Sequence, residues 1–369
     1  MREDSPKSGT RWLWWASVAV AVLSVVVAGV VAFRMRGAGR TIPAPPDSEI
    51  ELTLRHEGTT YKLYRGDVYT VGPEPGRLSF AENLYDPDFF TKNYVVVEGV
   101  PNKRSPETGT LYPTRRIFDE DFERVAGLGD LIGPQRGWTN FTLQSPRAPS
   151  IPEYNALRHR LLTGQGDFLD NRIEISQEHA HSGSSSLKCV SQPPSRGMVT
   201  AKASLSTSLL HFVKGDDVWF SGWYLVPEGS SLPFTLMDLE STWLKEHPGM
   251  RIMLDPPGHL MLELKWADKP KYRQAKGREI RFPVGQWVEV RLHLRLSDQP
   301  DGLVELWQDG VTIVEGRGQT LPLAGTIYDD LEVGISAHSF GPGATTLFVD
   351  DLGISTERPA SSSVEGPAR

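Results

Sequence analysis

One cysteine, Cys189, stands among 369 residues, so no internal disulfide is available and the fold has to rest on its apolar core. Basic residues are also in short supply: 39 Lys and Arg face 46 Asp and Glu, for a formal net charge of −7. The broad basic surface that phosphate neutralisation requires is therefore missing, and no nucleic-acid partner is expected. The chain has no Walker loop, dinucleotide fingerprint or nucleophile elbow, and no His/Cys cluster with metal-ligand spacing. Helical periodicity is scarce as well, and only 154–163 and 240–247 read as helices. In their place are 35 glycines, 28 prolines and ten tryptophans. That composition implies many short strands joined by turns, with aromatic side chains for packing or for stacking on a ligand.

Charge is wholly lacking in one stretch, WLWWASVAVAVLSVVVAGVVAF at 12–33. As a helix it rises about 33 Å, against a hydrocarbon core of about 30 Å, so it is expected to span a lipid bilayer. Trp12, Trp14 and Trp15 suit the headgroup boundary, and Arg34, Arg36 and Arg40 end the run. The other reading, a cleaved signal peptide, has a shorter apolar core of about 7–15 residues. Arg2, Lys7 and Arg11 balance the arginines on the far side, so flanking charge does not orient the span. The common signal-anchor arrangement puts a tail, 1–11, in the cytoplasm and the rest of the chain outside.

Residues 34–49 are rich in Gly and Pro and read as a stalk. Within 50–116, Glu51–Arg55 and Thr60–Tyr64 flank a Gly-containing turn, a small hairpin followed by an extended connector. From 117 to 356 the period-2 signal is strong. Val288, Val290, Leu292, Leu294 and Leu296 alternate with Glu289, Arg291, His293 and Arg295, and Leu260, Leu262, Leu264 and Trp266 with His259, Met261, Glu263 and Lys265. Further runs at 218–226, 302–307, 311–315 and 345–352 give an all-β sandwich or jelly roll. Residues 357–369 read as a disordered tail.

In chain order, several segments form a series: Phe118-Asp-Glu-Asp-Phe122-Glu, His181-Ser-Gly-Ser-Ser-Ser-Leu187-Lys, Val218-Trp-Phe-Ser-Gly-Trp-Tyr224, Gly285-Gln-Trp287, Asp301-Gly-Leu-Val-Glu-Leu-Trp307-Gln-Asp-Gly310 and Leu347-Phe-Val-Asp-Asp351-Leu. Over 117–355 this resembles the concanavalin A-like lectin/glucanase jelly roll, and within it the heparin-lyase-like polysaccharide lyases. The resemblance implies an acidic polysaccharide as partner. Lyases of this group use a His or Tyr pair for proton transfer at a uronic acid, while Arg, Gln or Asn neutralises its carboxylate. Two departures stand out. The strand that carries Arg-x-Glu-Leu in the family reads Thr200-Ala-Lys202-Ala-Ser-Leu205 here, and the late strand that offers a Tyr reads Gly334-Ile-Ser-Ala-His338. His293 or His338 then becomes the expected base, with Arg291 or Arg278 neutralising the uronate. Related glucanases carry Glu-x-Asp-x-Glu, of which Leu236-Met-Asp238-Leu-Glu240 keeps the second and third acids. With Leu at the nucleophile position, Asp238 and Glu240 are expected as polar groups of the groove.

A basic loop carries Lys269, Lys271, Arg273, Lys276, Arg278 and Arg281 around Tyr272, with Glu279 as its one acid. Arg forks suit carboxylate and sulfate, so the loop points to an anionic glycan; a solvated surface loop is the other reading. His259, Glu263 and Lys265 would join Arg291, His293 and Arg295 in a basic groove floor if their strands are neighbours in one sheet. Asp121 and Asp351, on the first and last strands, are the expected ligands of a structural calcium; no other cofactor is expected. These features point to a membrane-anchored, extracytoplasmic polysaccharide-binding protein, with β-elimination of uronic-acid glycans as its enzymatic form. The alternative is a non-catalytic, lectin-like or scaffold domain of the cell envelope.

Overall fold

The protein is seen in a computed structural model. It describes the backbone of the strands between residues 50 and 113, and residues 114–358 apart from 133–136, 163, 196–197, 242–248, 267–270, 324–325 and 340. The expected span 12–33, its tail 1–11, the stalk 34–49 and residues 359–369 lie outside the described residues, as does most of the helix expected at 240–247. Among the described residues no helix is long and apolar enough to cross a membrane.

Two small sheets come first. β1 (Ile50–His56) and β2 (Thr59–Tyr64) pair as the turn between them implies. The connector that follows is itself a sheet: β3 (Tyr69–Val71), β4 (Leu78–Phe80), β5 (Tyr94–Val97), β6 (Val100–Arg104) and β7 (Leu111–Pro113), in the order β4-β3-β5-β6-β7.

The main body is a sandwich. Its strands are β8 (Ile117–Glu120), β9 (Asn140–Thr142), β10 (Arg172–Ser176), β11 (Ser186–Ser191), β12 (Ala201–Thr207), β13 (Asp217–Leu225), β14 (Phe234–Glu240), β15 (Gly249–Leu254), β16 (Leu260–Leu264), β17 (Lys271–Tyr272), β18 (Trp287–Arg295), β19 (Gly302–Gln308), β20 (Val311–Gly318), β21 (Asp330–His338) and β22 (Thr345–Ser355). Eight of them form an antiparallel sheet in the order β10-β11-β22-β13-β18-β19-β20, with β8 also paired to β22. The other seven run β17-β16-β15-β14-β21-β12-β9. β22 lies between β11 and β13, and β21 between β14 and β12, so strands distant in sequence are neighbours in space, as in a jelly roll.

Alternation explains which side of β18 is buried, whereas β14, β16 and β21 are buried on both sides. Val288, Val290, Leu292 and Leu294 of β18 face Leu205, Leu239, Ile252, Val333 and Ile335 of the other sheet in one continuous core. Each such side chain contributes about 1.5–3 kcal/mol by leaving water. The sheets approach closely at Gly334, where φ is +114° and a Cβ would lie 2.8 Å from Cys189 Sγ. Cys189 is thus a packing residue, its thiol pushed up to about 12 by burial. The helix Ile151–Leu162 opens with a capping box, in which Ser150 N–H donates to Glu153 Oε2 at 3.1 Å and Glu153 N–H to Ser150 Oγ at 3.4 Å. Its Tyr154 hydroxyl donates to the Phe141 carbonyl at 2.6 Å on the edge strand β9, where it satisfies an otherwise open acceptor.

One expectation needs correction here. β18 has β13 and β19 as neighbours, whereas β16 has β15 and β17. Arg291, His293 and Arg295 therefore stand on a different sheet from Glu263, and the basic groove floor does not form. The chain between Leu264 and Trp287 crosses from one sheet to the other.

Candidate functional site

The polar side of the seven-stranded sheet gathers charged groups in a transverse row. Cross-strand partners run Lys271–Glu263–Arg251–Asp238–Glu332–Ser206–Asn140 over β17, β16, β15, β14, β21, β12 and β9. Signs alternate until Asp238 meets Glu332, two like charges opposite each other that would repel if left alone. Each is taken up by a lysine from beside the row. Lys265 Nζ donates to Asp238 Oδ1 at 2.6 Å and also to Glu240 Oε1. Lys202 Nζ donates to Glu332 Oε2 at 3.0 Å, and the Ser204 hydroxyl to Glu332 Oε1 at 2.5 Å. Arg251 Nη2 donates to Glu263 Oε1 at 2.5 Å, Lys271 Nζ lies 2.9 Å from Glu263 Oε2, and the Ser336 hydroxyl donates to Asp238 Oδ2.

Burial sharpens these pairings. Lys202 would lose its proton more readily when desolvated, but Glu332, then Asp238 and Glu240, outweigh burial and raise it well above the ordinary lysine range. Lys265 behaves alike: burial works against its charge, and Asp238 and Glu240 raise it. Burial would lift Asp238, yet Lys265 and Lys202 hold it below the usual carboxylate value. Glu263 is likewise lowered, Lys271 and Arg251 overcoming burial. Glu240 goes the other way, because burial lifts it, Lys265 only partly offsets that, and Asp238 and Glu332 add to the rise.

Alternation in the sequence identifies Glu263 and Lys265, and the acid pair Asp238 and Glu240, as groups of this face. Arg251, Ser204, Glu332 and Ser336 were not among the expected residues. The polar-apolar alternation of Asp330-Leu-Glu-Val and of Gly249-Met-Arg-Ile was their available signal.

The basic loop borders the face at its β17 edge. It is built on buried Gln274, whose amide donates to the Ile280 carbonyl at 3.1 Å and accepts from Ile280 N–H at 2.7 Å. Arg273 lies 3.7 Å from Asp255, and Arg281 Nε donates to the Pro257 carbonyl at 2.9 Å. Lys276 and Arg278 are exposed, and their side chains have no acceptor among the described residues; Lys269 lies outside them. His259 sits at the turn end of β16, its ring 3.6 Å from Asp255. Tyr272 is wedged against β20, where Cβ atoms at Gly316 and Gly318 would lie 2.5 and 2.6 Å from it, and burial raises its phenol.

Neither histidine expected as base is open on this face. His293 is on the outer side of the eight-stranded sheet, with Nδ1 2.7 Å from Glu305, Nε2 2.9 Å from Asp217 and its ring stacked at 3.9 Å on Trp219. Arg291 beside it pairs with Glu289 of its own strand at 2.6 Å, while Arg295 with Asp217 at 3.1 Å joins His293 in bracing neighbouring strands. His338 ends β21 wholly buried, and burial lowers its affinity for a proton, only partly offset by the backbone at Gln192 and Ser191.

The calcium expectation also meets a correction. β8 and β22 do pair, and Asp121 and Asp351 line one open cleft of about 840 Å³. Both already accept bonds within the protein: Asp121 Oδ1 accepts Glu123 N–H at 3.1 Å, and Asp351 contacts His181 Nδ1 at 2.6 Å and the Ser182 hydroxyl at 2.9 Å. Among the described residues no group of three or more His, Cys, Asp or Glu side chains is set to hold a metal ion. The residues present do not fit the ion.

Three solved structures are among those to which the chain is similar. Endo-β-1,4-glucuronan lyase from the fungus Trichoderma reesei is 13% identical, over 51% of this chain and 88% of that one, with a TM-score of 0.42. A cellulose-induced protein is 19% identical over 65% and 98%, with a TM-score of 0.43. An alginate lyase of polysaccharide lyase family 7 is 8% identical over 59% and 94%, with a TM-score of 0.38. No curated protein matches the chain. The family model described as "Polysaccharide lyase" matches residues 136–351, well over half of the sequence and nearly all of the sandwich. The chain belongs to the polysaccharide lyase family.

Proposed function

We propose that the chain is a membrane-anchored, extracytoplasmic protein that takes an acidic polysaccharide on the polar face of its seven-stranded sheet. The observation that carries this reading is the transverse charged row, with Glu263, Lys271, Asp238, Glu240 and Lys265 within reach of one another. It is bordered by Arg273 and by Lys276 and Arg278, cations that no described acid neutralises. An anionic chain lying along the row would meet these basic groups at the β17 edge. Anchoring at 12–33 is supported by the uncharged length of that segment. In the enzymatic form, family membership supports cleavage by β-elimination.

A second reading, a non-catalytic lectin-like or scaffold domain, is favoured by how thoroughly the row is paired within itself: Lys202, Lys265, Arg251 and Lys271 all hold carboxylates. The full-length chain in detergent micelles, incubated with polyglucuronate, alginate and a neutral β-glucan, separates the readings. Retention of the acidic glycans but not the neutral one, with growing ultraviolet absorbance of an unsaturated sugar, is the outcome expected of a lyase. Retention without absorbance establishes the binding form. Retention of none of the three removes the glycan reading.

A further inference from the structure

We propose that Glu240 is the proton-transfer group of the polar face, its outward oxygen taking the C5 proton of a uronate ring bound there. The proposal rests on the glycan reading above and names the residue that reading leaves open. Besides Asp330, which lies opposite Glu240 on β21 and interacts within the protein, four carboxylates stand on this part of the face. Glu263 gives one oxygen to Arg251 at 2.5 Å and the other to Lys271 at 2.9 Å. Glu332 gives Oε2 to Lys202 at 3.0 Å and Oε1 to Ser204 at 2.5 Å. Asp238 gives Oδ1 to Lys265 at 2.6 Å and Oδ2 to Ser336. Glu240 gives only Oε1, to Lys265. Its Oε2 is the one oxygen of the four carboxylates without a protein donor among the described residues. Exposure agrees, since the Asp238 side chain is 3% exposed and that of Glu240 26%.

The other titratable groups fail on geometry. The Lys265 ammonium is held between Asp238 and Glu240 and that of Lys202 against Glu332, which keeps both charged and unable to accept a proton. The Tyr154 hydroxyl is given to Phe141, and Tyr272 is wedged against β20. His259 is six residues along the strand from Lys265, about 20 Å at the rise of a β-strand. Glu240 is also held in place by its backbone. A Cβ at Gly249, opposite it, would lie 2.0 Å from the Leu239 carbonyl oxygen, so β15 can press against this end of β14 only with glycine there.

The step balances without a further reactant. Glu240 carboxylate accepts the C5 proton, and the C5–H electron pair becomes the C4=C5 double bond as the C4–O bond breaks. The departing alkoxide then takes the proton back from Glu240, which returns to the carboxylate. Lys265 has three donors and spends two on Asp238 and Glu240, and Arg251 spends one Nη on Glu263. The donors left over could take the uronate carboxylate and would stabilise the charge that develops on it. The lift that burial gives the Glu240 carboxyl makes it the stronger base once ionised.

Glu240→Gln in the full-length chain tests this, assayed beside wild type on polyglucuronate and alginate for both retention and unsaturated product. The expected result is a fall in product formation of about 100-fold or more with retention unchanged, and partial recovery in Glu240→Asp, which restores a carboxylate. Thermal unfolding of each variant confirms that it is folded. Product formed at the wild-type rate by Glu240→Gln overturns the assignment. Wild type that retains the glycans and forms no product overturns it too, while leaving the binding reading in place. Wild type that retains neither glycan removes both.

Discussion

Lys265 shows how much of the site a single side chain carries. It sits between Asp238 and Glu240, and Asp238 is almost wholly buried. Lys265→Met removes the cation and leaves that acid without its ion pair, a change that costs about 3–5 kcal/mol for a buried pair. Urea denaturation should show the midpoint falling with an unchanged slope, and Lys265→Arg should lose much less. The sequence carries this residue plainly, because Glu263 and Lys265 alternate with Leu262 and Leu264. Glu332, which meets Lys202 and Ser204, was harder to find: its partners are 130 and 128 residues away, and periodicity says nothing of pairing at that distance. His338 misleads for a different reason. The alternation of β21 puts it on the side of Glu332 and Ser336, but Gly341 and Ser231 close over the end of the strand, and a Cβ at Gly341 would lie 2.4 Å from its Nε2.

Strands were legible one at a time, and the sheets they join were not. β16 and β18 have nearly the same pattern of aliphatic residues alternating with charged ones, and each buries the side the pattern names. Nothing in that pattern says that the chain crosses between sheets after Leu264. The same crossing creates the basic loop and makes Gln274 its buried anchor, so the loop's position beside the polar face belongs to topology. Its free cations give a prediction at this level. Replacing Lys276 and Arg278 together by Ala should weaken retention of polyglucuronate about tenfold at low salt and much less at high salt, because exposed charges are screened beyond about 10 Å at 0.1 M. The thermal midpoint should barely move, since neither side chain has a partner among the described residues. Equal weakening at all salt concentrations would mean that the loop acts by shape and not by charge.

At the scale of the whole sandwich, the buried titratable groups set how stability depends on pH. Asp238 and Glu263 are lowered from 3.8 and 4.5, so their contribution is present above those values and is lost as pH falls through the lower folded ones. Glu240, raised from 4.5, works in the opposite sense and blunts that acid limb. Lys202 and Lys265 are raised from 10.5, so what they contribute is complete below that value and is lost as pH rises through the folded ones. His338 acts between these limits. Its folded value lies below 6.5, so the unfolded chain binds its proton first and stability declines as pH drops from there toward the folded value. Thermal midpoints of the full-length chain should therefore form a plateau from roughly pH 7 to 10. Below it should come a shallow step that begins near 6.5 and a steeper loss in the carboxylate range. His338→Leu fills the same buried space without a proton site and should shrink the shallow step, leaving the part due to His211, whose folded value burial also lowers. If the step is unchanged in that variant, the burial of His338 has no bearing on acid stability.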